Sequence, residues 1–250
     1  MFWRFDPELR GRILHALLRR TTMIELRSVS KIFRTDIVET YALRDFDLKV
    51  AAGEFVAITG HSGSGKTTLL NVAGLLEEFE AGDYWLDGED VKTLSDNERS
   101  RIRNRKIGFV FQGFNLIPNL NIYDNVDAPL HYRRMPAAER RKRVAESLEK
   151  VGLTSRMKHF PAQLSGGQQQ RAAIARAIGG DPQVILADEP TGNLDTTMSS
   201  QIMDLLQSIN ASGTTILLVT HNDELANRAS RTVHMVDGRV ATDQTDRFAA

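Results

Sequence analysis

The chain has 250 residues, enough to bury the core of one α/β domain with an inserted subdomain. Its 32 basic and 32 acidic residues balance, which gives no global electrostatic reason to bind a polyanion and disfavours wholesale nucleic-acid coating. Cysteine is absent, so disulfides, thiolate metal sites and a cysteine nucleophile are excluded, and the longest apolar stretches, residues 184–187 and 216–219, fall far short of the roughly 18 to 20 residues that cross a bilayer.

Residues 1–22 read as an extension ahead of the main domain. Asp6 suits a helix N-cap and Pro7 the first helical position, while Leu9, Ile13, Ala16 and Leu17 recur at helical spacing. Arg10, Arg12, Arg19 and Arg20 flank that stripe, and Phe2, Trp3 and Phe5 precede it. The segment fits an amphipathic helix on an anionic membrane surface, an accessory helix packed on the domain, or an extension before a start at Met23. It is no secretory signal, because His15 breaks the apolar run and no small-residue cleavage pattern follows.

From Met23 the pattern turns strand-rich. Residues 24–32 and 42–50 place apolar side chains at alternate positions and predict a peripheral antiparallel layer. Residues 54–59, 107–111, 184–187 and 215–220 are short, β-branched and almost continuously apolar, as parallel strands buried on both faces are. Helical segments at 66–76, 137–151, 167–178 and 198–209 separate them and argue for βαβ units in a mainly parallel sheet. Asp237-Gly238 between residues 232–236 and 239–242 signals a C-terminal hairpin.

Gly60, His61, Ser62, Gly63, Ser64, Gly65, Lys66 and Thr67 match G-x-x-x-x-G-K-[ST] between a buried strand and a helix. Small residues let such a loop wrap phosphate oxygens, its N–H groups form an anion nest, and the helix dipole faces the same charge. Lys66 is expected to reach the β- and γ-phosphates of ATP, Thr67 to complete a Mg2+ shell, and Thr68 to add a phosphate contact. Residues 184–187 then deliver Asp188 and Glu189 to a strand end, Asp188 for the metal and Glu189 as general base toward water. Ser165, Gly166, Gly167 and Gln168 open a further helix and form a second anion cradle without a lysine, which suggests completion of a site on another copy. An ordinary serine-capped helix is the competing reading of that segment.

Together these motifs, with Leu164 to Gln168 as the family's characteristic pentapeptide, resemble the ATP-binding-cassette ATPases, the nucleotide-binding subunits of transporters; the resemblance runs from Met23 to the C-terminal hairpin. It implies a P-loop NTPase core over 23–250 with an inserted helical subdomain at 113–164. It further implies that Gln112 senses the metal and the attacking water, that Asp195 is the acidic member of a loop crossing a dimer interface, and that His221 contacts the γ-phosphate. Lys31-Ile32-Phe33-Arg34 corresponds to the segment bearing the adenine-stacking aromatic, which makes Phe33 the candidate and Tyr41 the runner-up. His61 departs from the proline common in relatives, at a position that is not one of the glycines.

Residues 109–118 and Gly192-Asn193-Leu194-Asp195 resemble most the ATPases of lipoprotein release and macrolide export, with the cell-division ATPase of that subfamily close by. That resemblance implies an ATP-dependent homodimer, an integral membrane permease partner, a peripheral location at the cytoplasmic face of the inner membrane, and no nucleic-acid partner. Phe114, Leu116, Ile117, Leu120 and Val126 either line a groove for the permease or form the subdomain's internal core. Soluble cassette ATPases acting on DNA or ribosomes share the motifs, but the chain shows one motif set, no cysteine and no long heptad array.

Overall fold

The computed structural model describes residues 22–34 and 38–245; the helix expected within the N-terminal extension lies outside them. Strands β1 (Thr22–Arg34) and β2 (Glu39–Ala51) pair antiparallel, and β4 (Ala81–Leu86) and β5 (Glu89–Asp90) extend them to a sheet of order β2-β1-β4-β5. The main sheet runs β10-β9-β3-β8-β7-β6, formed by β3 (Phe55–Thr59), β6 (Ile107–Phe111), β7 (Val184–Asp188), β8 (Thr215–Val219), β9 (Arg231–Val236) and β10 (Arg239–Thr245). Every pair in it is parallel except the hairpin β9–β10, so the fold is α/β with an antiparallel layer against a mainly parallel sheet.

The near-continuous apolar strands are explained by burial on both faces. Val56 and Ile58 face the antiparallel layer, where they join Ile24, Leu26, Phe46 and Leu48, while Phe55 and Ala57 face the helices on the other side. The same two-residue alternation divides β7 into Val184 and Leu186 against Ile185 and Ala187. Tyr84 is wholly buried between the layers; its hydroxyl donates to the Ala73 carbonyl at 2.7 Å, and burial pushes the phenol pKa upward.

The helices α1 (Lys66–Ala73), α5 (Gly166–Ile178) and α6 (Thr196–Ala211) stand between the strands as their apolar periodicity predicts. Among the described residues the short helix Asp223–Ala226 and two longer helices escaped that reading. In α2 (Asp96–Lys106) no residue is buried, so there is no apolar stripe to detect; it is pinned instead by polar contacts, with Arg103 donating to the Leu75 carbonyl at 2.7 Å and Lys106 paired to Asp87 at 2.8 Å and Glu89 at 2.7 Å. Its available signal was Ser95 with Glu98 three residues on, the capping-box pattern. The other is α3 (Ile122–Tyr132), capped by Asn121 and packed with α4 (Ala137–Lys150) and α5.

The structure divides the apolar set proposed for a groove. Val126 is wholly buried in the core with Ile122 and Leu130, as the internal-core alternative expects; a helix start at Ile122 turns it inward. Leu116 packs partly on the same core and Ile117 remains exposed. What fixes residues 117–121 is Asn125, wholly buried. Its Oδ1 accepts from the Ile117 N–H at 2.7 Å, and its amide donates to the carbonyls of Ile117, Leu120 and Asn121 at 3.1, 2.9 and 3.0 Å.

Replacing Asn125 by Ala leaves the Ile117 N–H and the Leu120 carbonyl without this partner, while the Ile117 and Asn121 carbonyls keep backbone donors, so Asn125→Ala lowers the free energy of unfolding by about 2 kcal/mol in urea titration. A loss below about 0.5 kcal/mol would show that the loop reorganises without it.

Candidate active site

The glycine-rich loop joins β3 to α1 and is seated against two other parts of the chain. A Cβ on Gly65 would lie 2.2 Å from the Ala42 carbonyl oxygen, and one on Gly60 2.3 Å from the Met235 carbonyl oxygen. Gly65 also has φ +100, where a side chain is strained. The glycine at 65 is therefore demanded by the protein's own packing, before any ligand arrives; the sequence argument had assigned it to phosphate approach alone. Gly63 differs again, with open space around it but φ +79. The turn of the β9–β10 hairpin completes the seat: Gly238 N–H donates to the Ser64 carbonyl at 3.0 Å.

This loop has the features of an anion site. No side chain caps α1, and no acidic residue stands in its first turn. Ser64 is buried and its hydroxyl has no hydrogen-bond partner. The Lys66 ammonium is almost buried and donates to the loop carbonyls of Gly60 and His61 at 2.7 and 2.8 Å. His61, Ser62, Gly63 and Thr67 line the exposed mouth, with Thr68 half-buried behind them. His61 stands 3.7 Å from Asp237, an exposed pair of little energetic weight.

Next to the loop, β7 ends in Asp188 and Glu189. Burial holds the Asp188 carboxyl above its ordinary pKa; a hydrogen bond from Thr67 opposes this, neighbouring Glu189 adds to it, and the positive charge of Lys66 opposes it. Glu189 adopts φ +45, and its backbone is held there by Glu189 N–H to the Val219 carbonyl at 2.9 Å and Gly192 N–H to the Glu189 carbonyl at 3.0 Å. Such a conformation in a non-glycine residue is strained and aims the side chain out of the strand line. Its Oε1 lies 2.7 Å from Nδ1 of His221, the exposed histidine just past β8. The structure thus brings His221 to the carboxylate of Glu189.

Gln112 follows β6 at the same sheet edge. Its Nε2 donates to Oδ1 of Asn193 at 3.3 Å, while Nδ2 of Asn193 donates back to the Gln112 carbonyl at 3.0 Å. The sequence reading took Asn193 only as a member of the Gly192-Asn193-Leu194-Asp195 motif, and nothing in its type signalled this pairing. Phe114 and Asn115 follow with φ +61 and +49, and Arg176 on α5 donates to both of their carbonyls. Oxygen donors from Thr67, Asp188 and Gln112 suit a hard divalent cation. Among the described residues no group of three or more His, Cys, Asp or Glu is placed to hold a metal ion.

The second cradle is a well-capped helix start. Ser165 Oγ accepts from the Gln168 N–H at 3.3 Å, and the Gln168 side chain accepts from the Ser165 N–H at 3.1 Å. A Cβ on Gly167 would lie 2.6 Å from the Met198 sulfur, and one on Gly166 3.4 Å from Leu194, so both glycines also serve close packing on the loop that carries Asp195. Asp195 itself caps α6, accepting from the Met198 N–H at 2.9 Å. Phe33 and Tyr41 are both half-exposed, with the Lys31 ammonium 5.1 Å above the Phe33 ring and the Arg44 guanidinium 4.8 Å above Tyr41.

Because the Gly65 seat is set by backbone, Gly65→Ala displaces the loop from Ala42. It abolishes ATP binding measured by calorimetry and lowers stability by about 2 kcal/mol or more; retention of wild-type ATP affinity would contradict the geometry.

Comparison with known proteins agrees with this arrangement. The sequence model of the ABC transporter family matches residues 43–192. The uncharacterized ABC transporter ATP-binding protein YknY of Bacillus subtilis (strain 168) is 49% identical over 218 residues, covering 87% of this chain and 95% of its own length. The macrolide export ATP-binding/permease protein MacB of Brucella melitensis biotype 1 is 47% identical over 225 residues, which are 90% of this chain but 35% of that protein. Among solved structures, a dimeric post-hydrolysis state of the ATP-binding cassette MJ0796 bound to ADP and Pi superposes with TM-score 0.83 at 42% identity, covering 89% of this chain and 98% of that one. The chain belongs to the ABC transporter family, as an ATP-binding cassette.

Proposed function

We propose that the chain hydrolyses ATP as a pair of copies and drives a membrane permease in export. The observation that supports this most is the gathering of Lys66, Thr67, Gln112, Asp188, Glu189 and His221 at the C-terminal edge of the neighbouring strands β3, β8, β7 and β6. In an open parallel sheet this edge is where ligands bind, and each group there has a part to play in phosphoryl transfer to water.

In this reading the β- and γ-phosphates of ATP replace the Gly60 and His61 carbonyls as partners of Lys66, exchanging neutral acceptors for charged ones. The loop N–H groups and Ser64 take the remaining phosphate oxygens, Thr68 adds a contact, and Phe33 stacks on adenine. Thr67, Gln112 and Asp188 would hold Mg2+, which would neutralise charge on the phosphate oxygens. Glu189 accepts a proton from water as the water oxygen bonds to the γ-phosphorus and the bond to the bridging oxygen breaks, giving ADP and phosphate. His221, hydrogen-bonded to Glu189, holds the carboxylate in place and reaches the γ-phosphate.

Ser165, Gly166, Gly167 and Gln168 complete the site of the second copy, with Asp195 in the loop between the copies. A γ-phosphate shared in this way favours the closed pair over the open one, and only such differential affinity moves a conformational equilibrium. The inserted helical unit 113–164 receives the permease along the exposed edge near Ile117. No helix among the described residues is long and apolar enough to cross a membrane. In this reading the permease partner holds the chain at the cytoplasmic face of the inner membrane. Identity of 47% with a protein named for macrolide export supports an export permease.

Glu189→Gln is expected to form a stable dimer under saturating Mg-ATP, seen by light scattering, with turnover reduced at least about a hundredfold; a monomer under those conditions contradicts the shared site. Lys66→Ala is expected to abolish ATPase activity, and wild-type turnover in that variant would remove the phosphate loop from the mechanism.

A further inference from the structure

The charges of the chain balance in total but not in place. Residues 99–106 and 131–143 together hold eleven basic residues and one acid, against 21 basic and 31 acidic residues in the rest. The structure joins these stretches, which are most of α2 and the junction of α3 with α4. Arg133, just past α3, donates from Nε to Oδ1 of Asn104 at 2.7 Å, from one terminal nitrogen to the Gly180 carbonyl at 2.6 Å, and from the other to the Asn104 carbonyl. A Cβ on Gly180 would stand 2.1 Å from that guanidinium, so the glycine leaves room for it. Arg133 is thus fixed in place by neutral groups, and its charge is not cancelled by them.

Further cations gather round it. Burial and then the charges of Arg143 and Arg105 hold the Arg133 guanidinium below its ordinary pKa, with Asp181 opposing them. Arg143 has Glu139 at 3.1 Å, but Arg105 is exposed and in no ion pair with another described residue. Arg101 stands one turn before Arg105 on the same face of α2, with Glu98 of its own helix as its acidic neighbour. Arg134 is exposed, unpaired and at φ +56 directly after the helix end, where glycine is the usual residue because a side chain is strained there. This arginine therefore adds charge to the surface at a cost in stability. Tyr132 beside it is 81% exposed, more than any other large apolar side chain among the described residues.

We propose that the junction of α2, α3 and α4 docks on an anionic phospholipid surface through Arg101, Arg105, Arg133, Arg134 and Tyr132. Guanidiniums kept apart from carboxylates match a layer of phosphate headgroups, and a tyrosine with an apolar body and a polar tip suits the same depth. The proposal rests on the reading that the chain works beside a membrane, and it adds a contact that needs no permease. The acid-rich remainder of the chain is repelled by the same surface, so the contact orients the molecule as well as attracting it. Nucleic acid carries phosphates too, but Tyr132 is the one Phe, Tyr or Trp in the two stretches and gives successive bases no stacking platform.

The test sediments the full chain with vesicles of phosphatidylcholine, with and without phosphatidylglycerol, and measures ATPase activity in solution alongside. The wild-type chain is expected to bind the anionic vesicles, to leave the neutral ones, and to be released by salt. Arg134→Gly is expected to weaken vesicle binding about fivefold, the share of one arginine, while raising the melting temperature because the strain is removed. Arg105→Gln combined with Arg134→Gly should weaken binding about twenty-fivefold with ATPase activity unchanged. Arg141→Gln removes the same charge about 200° round α4 from Arg143, and should leave vesicle binding as it was. Equal weakening by Arg141→Gln would show that net charge and not this surface attracts the vesicles, and binding that survives the double substitution would place the contact elsewhere; either result overturns the proposal. Tighter binding of a single-stranded RNA oligomer, lost in the same variants, would make the surface a nucleic-acid site and overturn it as well. Absence of wild-type binding to anionic vesicles, with ATPase activity present, would remove the docking surface and leave the hydrolysis reading standing.

Discussion

The site depends on a steric constraint: the phosphate loop is pressed from two sides by backbone. The Ala42 carbonyl from β2 closes on Gly65, and the Met235 carbonyl from β9 closes on Gly60. The hairpin turn ties these neighbours together, with Gly238 donating to Ser64 and the Arg44 N–H donating to the Gly238 carbonyl at 2.9 Å. The antiparallel layer and the C-terminal hairpin are therefore walls of the nucleotide site, and a loop that would be flexible in isolation is held in one conformation. This is preorganisation in its simplest form, since the N–H groups are aimed before the anion arrives.

The second determinant is strand order. In chain order the strands β3, β6, β7 and β8 are separated by helices, but in space β3, β8, β7 and β6 are consecutive. Residues far apart in sequence end their strands at a common edge, in register: Ile58 beside Val219, Asp188 beside Val219, and Phe111 beside Asp188. The lysine, the two carboxylates, the histidine and the glutamine need no special contacts to converge there. The parallel sheet delivers them, and local detail such as the positive φ of Glu189 sets the final aim.

Much of this was legible in the sequence because it obeys strong local rules. The buried strands announce themselves as apolar runs, the hairpin by Asp237-Gly238, and the phosphate loop by its glycines and lysine between strand and helix. What escaped has physical causes. Helix α2 buries nothing and so lacks periodicity, and β5, at the edge of the antiparallel layer, has only two residues. The sequence left Val126 open between groove and core because the register of α3 is set by its Asn121 cap and by Asn125, whose partners are backbone groups that no side-chain pattern reveals. The Gln112–Asn193 pair joins positions 81 residues apart, beyond the reach of any local argument.

The central claim is that one nucleotide lies between the phosphate loop of one copy and the Ser165 helix start of another. The natural absence of cysteine makes this directly measurable. His61→Cys and Ser165→Cys chains, each first shown to bind ATP, are mixed in a Glu189→Gln background and oxidised. The account predicts a cross-linked heterodimer with Mg-ATP and none with Mg-ADP or without nucleotide. Failure of the mixed pair to cross-link under Mg-ATP, or cross-linking indifferent to nucleotide, would contradict it.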